Sequence, residues 1–141
     1  MLRRKFIEQG CKMCLALSAG TMLVSFLEGC STIPVLKMTS TNRTIAVPIE
    51  QFALNPYVIV RPLDYSYDVA VLQKNQTEYQ ALIMRCTHAD NAVRFNGEEF
   101  KCNLHGSVFG KNGNVEKGPA EKPLVALKTE LNNQKVIINL I

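Results

Sequence analysis

The chain has 141 residues, which is enough for one domain once an N-terminal targeting segment is set aside. Hydrophobic residues make up 47% of it and charged residues 20%, a composition that excludes a disordered or low-complexity chain. The net charge is +4, but residues 30–141 contain 12 basic and 10 acidic residues, a net charge of +2. They lack the stripe of basic and aromatic residues that is typical of a nucleic-acid-binding surface.

Residues 1–29 have the features of an export signal. Arg3 and Arg4 precede a Phe-Ile pair, and an apolar run extends from Met13 to Leu27. This arrangement predicts a signal peptide, and the arginine pair resembles the twin-arginine export signal, a route for proteins already folded around their cofactors. The apolar run is shorter than the roughly 20 residues that span a bilayer. An uncleaved membrane anchor is the alternative.

The segment that follows resembles the lipidation site of a bacterial lipoprotein. Leu27 and Gly29 fit the lipobox pattern before Cys30, although Glu28 is unusual in it. We therefore predict that Cys30 is lipidated and that residues 30–43 form a tether on the periplasmic face of a bacterial membrane. A buried or free Cys30 is the alternative. A Cys-x-x-Cys motif at residues 11–14 lies inside the signal and is not expected to form a redox or metal site.

Residues 44–141 are predicted to be an all-β domain. Short segments rich in Val, Ile, Leu and Tyr alternate with turn residues, and long helical periodicity is absent. Asn96-Gly97 is the strongest hairpin signal and predicts a type I′ turn with positive φ at both residues. The predicted strands are Thr44 to Glu50, Tyr57 to Arg61, Tyr67 to Lys74, Glu78 to Arg85, Ala92 to Phe95, Glu98 to Lys101, Leu124 to Glu130 and Lys135 to Ile141.

Two short motifs contain both histidines of the chain. They are Cys86-Thr-His88 and Cys102-Asn-Leu-His105, with 13 residues between them. Residues i and i+2 of an extended segment share a face, and the intervening hairpin returns the second motif to the first. Two thiolates and two imidazoles suit either a structural zinc site or a Rieske centre, in which two Cys bind one iron and two His the other. Each motif supplies one ligand of each kind, as a Rieske centre requires.

Residues 44–141 resemble the Rieske [2Fe-2S] domain. The resemblance implies an antiparallel β-sandwich or barrel with a small cluster-binding subdomain, and a [2Fe-2S] cluster on the four ligands. It also implies a third loop around the cluster, at Gly118-Pro119-Ala120, and an electron-transfer role without independent catalysis. The residues that carry it are Cys86, His88, Cys102, His105, Gly106, Ser107, Phe109, Gly113, Gly118, Pro119, Ala120, Pro123 and Leu124.

The sequence departs from the quinol-oxidising members of that family at two places. Asn91 and Leu104 stand where those proteins have a disulfide between the two ligand loops. Ser107 keeps a hydroxyl that donates to a cluster sulfide, whereas Phe109 stands where they have a tyrosine that donates to a ligand cysteine. Hydrogen bonds to sulfur raise the reduction potential of the cluster. With one donor kept and one lost, we predict a potential between those of Rieske ferredoxins and of quinol-oxidising Rieske proteins. Leu104 and Phe109 are expected to shield the cluster from water.

The predicted function is one-electron transfer as the iron-sulfur subunit of a membrane-associated, respiratory quinol-oxidising complex. Its partners would be redox proteins, and a lipid anchor would attach it to the membrane. Three alternatives remain open: the Rieske subunit of an exported molybdenum oxidoreductase resembling arsenite oxidase, a stand-alone Rieske ferredoxin, and a zinc-stabilised binding module. A Rieske oxygenase is disfavoured, because no histidine remains to build its mononuclear iron site.

Overall fold

The computed structural model describes residues 32–141. The predicted export signal, the Cys-x-x-Cys motif within it and Cys30 lie outside the described residues. Within residues 32–141, no helix is long and apolar enough to cross a membrane.

Short β-strands account for nearly all regular structure in the described part of the chain, and the predicted all-β class is confirmed. One 3-10 turn, Ile49–Phe52, follows the second strand. The strands are β1 Val35–Met38, β2 Thr44–Pro48, β3 Tyr57–Pro62, β4 Val69–Gln73, β5 Tyr79–Ile83, β6 Val93–Phe95, β7 Glu99–Cys102, β8 Val108–Gly110, β9 Val115–Lys117, β10 Ala126–Asn132 and β11 Lys135–Asn139.

Seven strands form a sheet in the order β1-β3-β4-β5-β10-β11-β2. Every neighbouring pair in it is antiparallel except β1 and β3, which are parallel. Side chains from all seven strands meet in one apolar core, so the sheet curls around that core like a barrel. Residues that represent six of the strands in this core are Val47, Val60, Val71, Ile83, Leu127 and Ile138, and Leu36 and Met38 of β1 pack against it.

Strand β1 was not predicted and lies inside the segment expected to be a tether. Val35–Met38 pair in register with Ile59–Pro62 of β3. Only Leu36 and Met38 contact the core, while Val35 is 47% exposed. Two inward side chains over four residues are too weak a pattern to identify a strand from sequence.

The other four strands form a small antiparallel sheet in the order β6-β7-β8-β9. Its aromatic face packs on the outer face of β3, β4 and β5 and encloses a second core. Phe95 and Phe100 stack within it at 4.4 Å between ring centroids. Strands β4 and β5 are therefore buried on both faces, which explains why Val69–Leu72 and Ala81–Ile83 are continuous apolar runs rather than alternating patterns. Strands β8 and β9, of three residues each, were not predicted.

The β6–β7 hairpin forms where the Asn-Gly signal placed it, but the predicted turn type was wrong. Gly97 has a φ of 103°, whereas Asn96 does not adopt a positive φ. The Asn96 side chain instead accepts hydrogen bonds from the N–H groups of Glu98 and Glu99, both at 2.9 Å. Asparagine thus supports this turn through its side-chain oxygen rather than through a left-handed backbone.

Candidate metal centre

Two loops at one end of the small sheet share a backbone design. We call Cys86–Asn91 ligand loop 1 and Cys102–Ser107 ligand loop 2. In each, the N–H of the cysteine donates to the carbonyl of the residue five positions later, at 2.7 and 2.9 Å. The carbonyl of each cysteine accepts from the N–H four positions later, at 2.9 and 3.1 Å. That fourth residue, Asp90 or Gly106, has a positive φ of 52° or 81° and turns the chain back.

The two cysteines lie at the base of these loops and belong to the second core. Cys86 and Cys102 are each 1% exposed and are not in a disulfide. Their position in the core keeps water away from both sulfurs. An apolar base of this kind suits thiolate ligands of a metal, because the metal charge replaces the lost solvation.

The surroundings of Cys102 favour its thiolate. Burial raises the pKa of this thiol, but hydrogen bonds to the sulfur outweigh burial and bring the pKa below the usual cysteine value. These hydrogen bonds come from the N–H of Leu104, the side chain of Cys86, the N–H of His105 and the side chain of Asn91. The structure therefore prepares a sulfur that binds metal readily.

The two histidines meet above the cysteines at the exposed tip. Nδ1 of His88 lies 3.2 Å from Nδ1 of His105. The rings are nearly perpendicular, at 82°, with centroids 5.0 Å apart. Two imidazole nitrogens that bind one metal ion at about 2.0–2.1 Å each lie no more than roughly 4 Å apart. The distance between the two Nδ1 atoms is therefore compatible with binding to one metal ion.

The segment 118–123, which begins with the predicted third loop Gly118-Pro119-Ala120 and is called the third loop below, is attached to both ligand loops. The Thr87 hydroxyl donates to the carbonyl of Lys122 at 2.6 Å. The N–H of Ala120 donates to the hydroxyl oxygen of Ser107 at 3.0 Å. Gly118 and Pro119 are exposed beside it. An open recess of about 480 Å³ lies between this loop and ligand loop 1, lined by Thr87, His88, Pro119, Glu121 and Lys122.

Ser107, Phe109 and Leu104 differ sharply in exposure. Ser107 is 0% exposed, and among residues 32–141 it is the only buried serine, threonine, amide or charged residue. Its oxygen accepts from Ala120, which leaves the hydroxyl proton free to be donated. Phe109 is fully buried in the second core, whereas Leu104 is 55% exposed at the tip. The shielding of a cluster by Leu104 and Phe109 stays a prediction.

Two residues near the site were not identified from the sequence. The Tyr67 hydroxyl donates to the carbonyl of Asp90 in ligand loop 1 at 2.7 Å. The Asn91 amide nitrogen lies 4.0 Å from the sulfur of Cys102. The contact between Tyr67 and Asp90 joins residues 23 positions apart, so no local sequence pattern predicts it. The sequence marks Asn91 only as a position where a disulfide is missing and does not show that its amide reaches the Cys102 sulfur.

The fold and the site define a class: a β-protein in which each of two loops brings one Cys and one His to a common site. The family model for the Rieske [2Fe-2S] domain matches residues 49–131, more than half of the chain. The chain therefore belongs to the Rieske [2Fe-2S] domain family. Membership confirms the predicted [2Fe-2S] cofactor and removes the zinc alternative. The residues present fit such a cluster, because they provide a buried sulfur pair and a converging imidazole pair.

Similar proteins agree with this family. The cytochrome b6-f complex iron-sulfur subunit of Gloeobacter violaceus is 44% identical over 55 residues, which are 38% of this chain and 30% of that protein. Subunit 1 of the same name from Nostoc sp. is 34% identical over 77 residues, 53% of this chain and 42% of that protein. The matched regions thus span less than half of either relative.

Solved structures share the fold. The cyanobacterial plasma membrane Rieske protein PetC3 from Synechocystis PCC 6803 superposes with a TM-score of 0.56 at 22% identity, covering 67% of this chain and 98% of that one. The complex of oxygenase and ferredoxin in carbazole 1,9a-dioxygenase contains a chain that superposes with a TM-score of 0.51 at 18% identity. This chain covers 94% of it, and 70% of this chain is matched. At these identities the likeness concerns the fold alone.

Tyr67→Phe is expected to loosen ligand loop 1. The change leaves the Asp90 carbonyl without its protein donor and keeps the ring, which lies 5.6 Å from the Arg85 guanidinium carbon. We expect the free energy of unfolding to fall by about 0.5–1.5 kcal/mol and the cluster to be lost faster to a chelator. Urea denaturation and the decay of visible absorbance measure the two effects.

Tyr65→Phe is the matched control. Tyr65 is also partly buried against the barrel core, and its hydroxyl forms no hydrogen bond within residues 32–141. The Tyr65→Phe substitution should leave the free energy of unfolding and the rate of cluster loss unchanged. Equal effects of the two substitutions would show that the Tyr67 hydroxyl does not hold the loop.

Proposed function

We propose that Cys86 and Cys102 bind one iron of the [2Fe-2S] cluster, that His88 and His105 bind the other, and that the chain transfers single electrons within a membrane-bound quinol-oxidising complex. The observation that carries this proposal is the pair of exposed imidazoles, with Nδ1 atoms 3.2 Å apart, beside two cysteines that are each 1% exposed. When bound, such a cluster accepts one electron from a donor and passes it to an acceptor.

The cysteines and the histidines have different roles in the proposed electron transfer. The buried cysteines hold the inner side of the site in the second core, where water is excluded. The exposed histidines bring the outer side to the surface, where their Nε2 edges can contact a partner. The recess beside His88 adds polar groups to that contact surface. A partner can therefore approach the site closely without the protein opening.

The setting in a quinol-oxidising complex is supported by the names of two relatives, each an iron-sulfur subunit of a cytochrome b6-f complex. Affinity purification of the full chain from detergent-solubilised membranes tests it. We expect the membrane subunits of a quinol-oxidising complex to co-purify. A molybdenum-containing oxidoreductase subunit in their place, or recovery of the chain alone, would contradict this setting and favour one of the two other predicted roles.

The ligand set is tested by cluster loading. Cys102→Ser and His88→Ala are expected to yield colourless protein, since each removes a ligand that the remaining residues cannot replace. Asn103→Ala serves as the control, because Asn103 is exposed between two ligands. It should keep the red-brown colour and equal amounts of iron and acid-labile sulfide. A Cys102→Ser protein that still loads a full cluster would contradict the assignment.

Ser107→Ala is expected to lower the reduction potential. The free hydroxyl proton of Ser107 can donate to a cluster sulfide and so stabilise the reduced, more negative state. The change also leaves the N–H of Ala120 without its acceptor, which costs about 1–3 kcal/mol of stability. Protein-film voltammetry measures the potential, with the exposed Ser66→Ala as control. An unchanged potential in Ser107→Ala would show that the hydroxyl only supports the loop.

Attachment to the membrane is proposed to depend on Cys30, on the strength of the lipobox that precedes it. The full chain should appear in the membrane fraction, and its N-terminal peptide should begin at Cys30 with an added acyl mass. Cys30→Ala should appear in the soluble fraction or keep its whole signal segment. An unmodified Cys30 in membrane-bound protein would identify residues 1–29 as the anchor instead.

A further inference from the structure

We infer that Asn91 is a side-chain hydrogen-bond donor to a cluster ligand, and that it raises the reduction potential by donating from Nδ2 to the sulfur of Cys102. The inference rests on the proposed ligand set. It assigns Asn91 a positioning and tuning role, in which ligand loop 1 acts on a ligand held by ligand loop 2.

The geometry places the amide against this sulfur. Nδ2 of Asn91 lies 4.0 Å from Sγ of Cys102 and 3.2 Å from the carbonyl oxygen of Ala92. One amide nitrogen carries two protons and can serve both acceptors. Sulfur is larger than oxygen, so hydrogen bonds to it are longer than those to oxygen. Asn91 is partly buried, which limits competition from water.

The backbone holds Asn91 firmly in this place. Its carbonyl accepts the N–H of Cys86 at 2.7 Å, the shortest of the four bonds that close the two ligand loops. The preceding residue, Asp90, is held in turn by Tyr67. The side chain therefore starts from a fixed position and loses little additional freedom when it contacts the sulfur.

Asn91 in ligand loop 1 and Ser107 in ligand loop 2 occupy equivalent positions. Asn91 and Ser107 are each the fifth residue after their cysteine, and each accepts the N–H of that cysteine. Ser107 presents a hydroxyl with a free proton, and Asn91 presents an amide. The same position in both loops thus carries a donor that faces the site, so the contact of Asn91 follows from the loop design.

The chemistry gives the direction of the effect. A hydrogen bond to a ligand thiolate stabilises negative charge on it, and the reduced cluster is the more negative state. Since Phe109 offers no hydroxyl, Asn91 supplies a donor to a ligand cysteine from another part of the fold.

Two substitutions test the inference on the cluster-loaded chain. Asn91→Ala removes the donor, and Asn91→Leu removes it while keeping the approximate size and shape of the side chain; neither adds charge. Both should retain the cluster, and both should lower the midpoint potential measured by protein-film voltammetry. Asn132→Ala, which replaces an exposed asparagine at the end of β10 and outside both ligand loops, should leave the potential unchanged. If Asn91→Ala fails to load a cluster, the shift in midpoint potential of Asn91→Leu decides.

Resonance Raman spectra provide a readout that a merely structural role would not move. Loss of the hydrogen bond should strengthen the iron–sulfur bond of Cys102 and shift its stretching band to higher frequency. An unchanged potential and an unchanged band in Asn91→Ala would overturn the inference. Failure of the ligand set is distinguishable, because Cys102→Ser would then still load a cluster, whereas failure of the inference alone leaves that variant colourless.

Discussion

The structure depends on placing four side chains, the proposed ligands, with opposite exposure around one small site. The two cysteine sulfurs lie in a dry environment, while the two imidazoles reach the surface, where the proposed function needs them to meet a redox partner. The second core provides the dry side, because the small sheet covers the outer face of the barrel and encloses Cys86 and Cys102. The ligand loops then project His88 and His105 beyond that core. The double burial of β4 and β5 follows from the same requirement.

Rigidity at the site comes from hydrogen bonds that cross between segments, since no disulfide joins the ligand loops. Thr87 and Ser107 each bind the third loop, and Tyr67 binds ligand loop 1 from the barrel. Each such bond is worth about 1 kcal/mol, so three of them approach the contribution of a typical disulfide. They differ from a disulfide in one respect. They hold the loops equally well under reducing and oxidising conditions, because none of them is itself redox-active.

The sequence predicted the fold class, most strands and the family, because these depend on patterns that are local. Alternation, turn residues and motif spacing can all be read within a few positions. It missed β1, β8 and β9, which are short and owe their existence to pairing with distant strands. The type I′ turn was wrong because the side chain of Asn96 competes with its backbone for the turn. Tyr67 was missed because its contact with ligand loop 1 depends on tertiary folding.

The equivalence of the two ligand loops is the step that sequence alone did not reveal. His88 is the second residue after its cysteine and His105 the third, so the motifs look different. Their closing hydrogen bonds and positive-φ residues are nevertheless the same. Donors can therefore be compared by position in the loop rather than by motif. Seen in this way, substitution of a tyrosine by Phe109 does not leave the ligand sulfurs without side-chain donors, and the potential cannot be judged from that position alone.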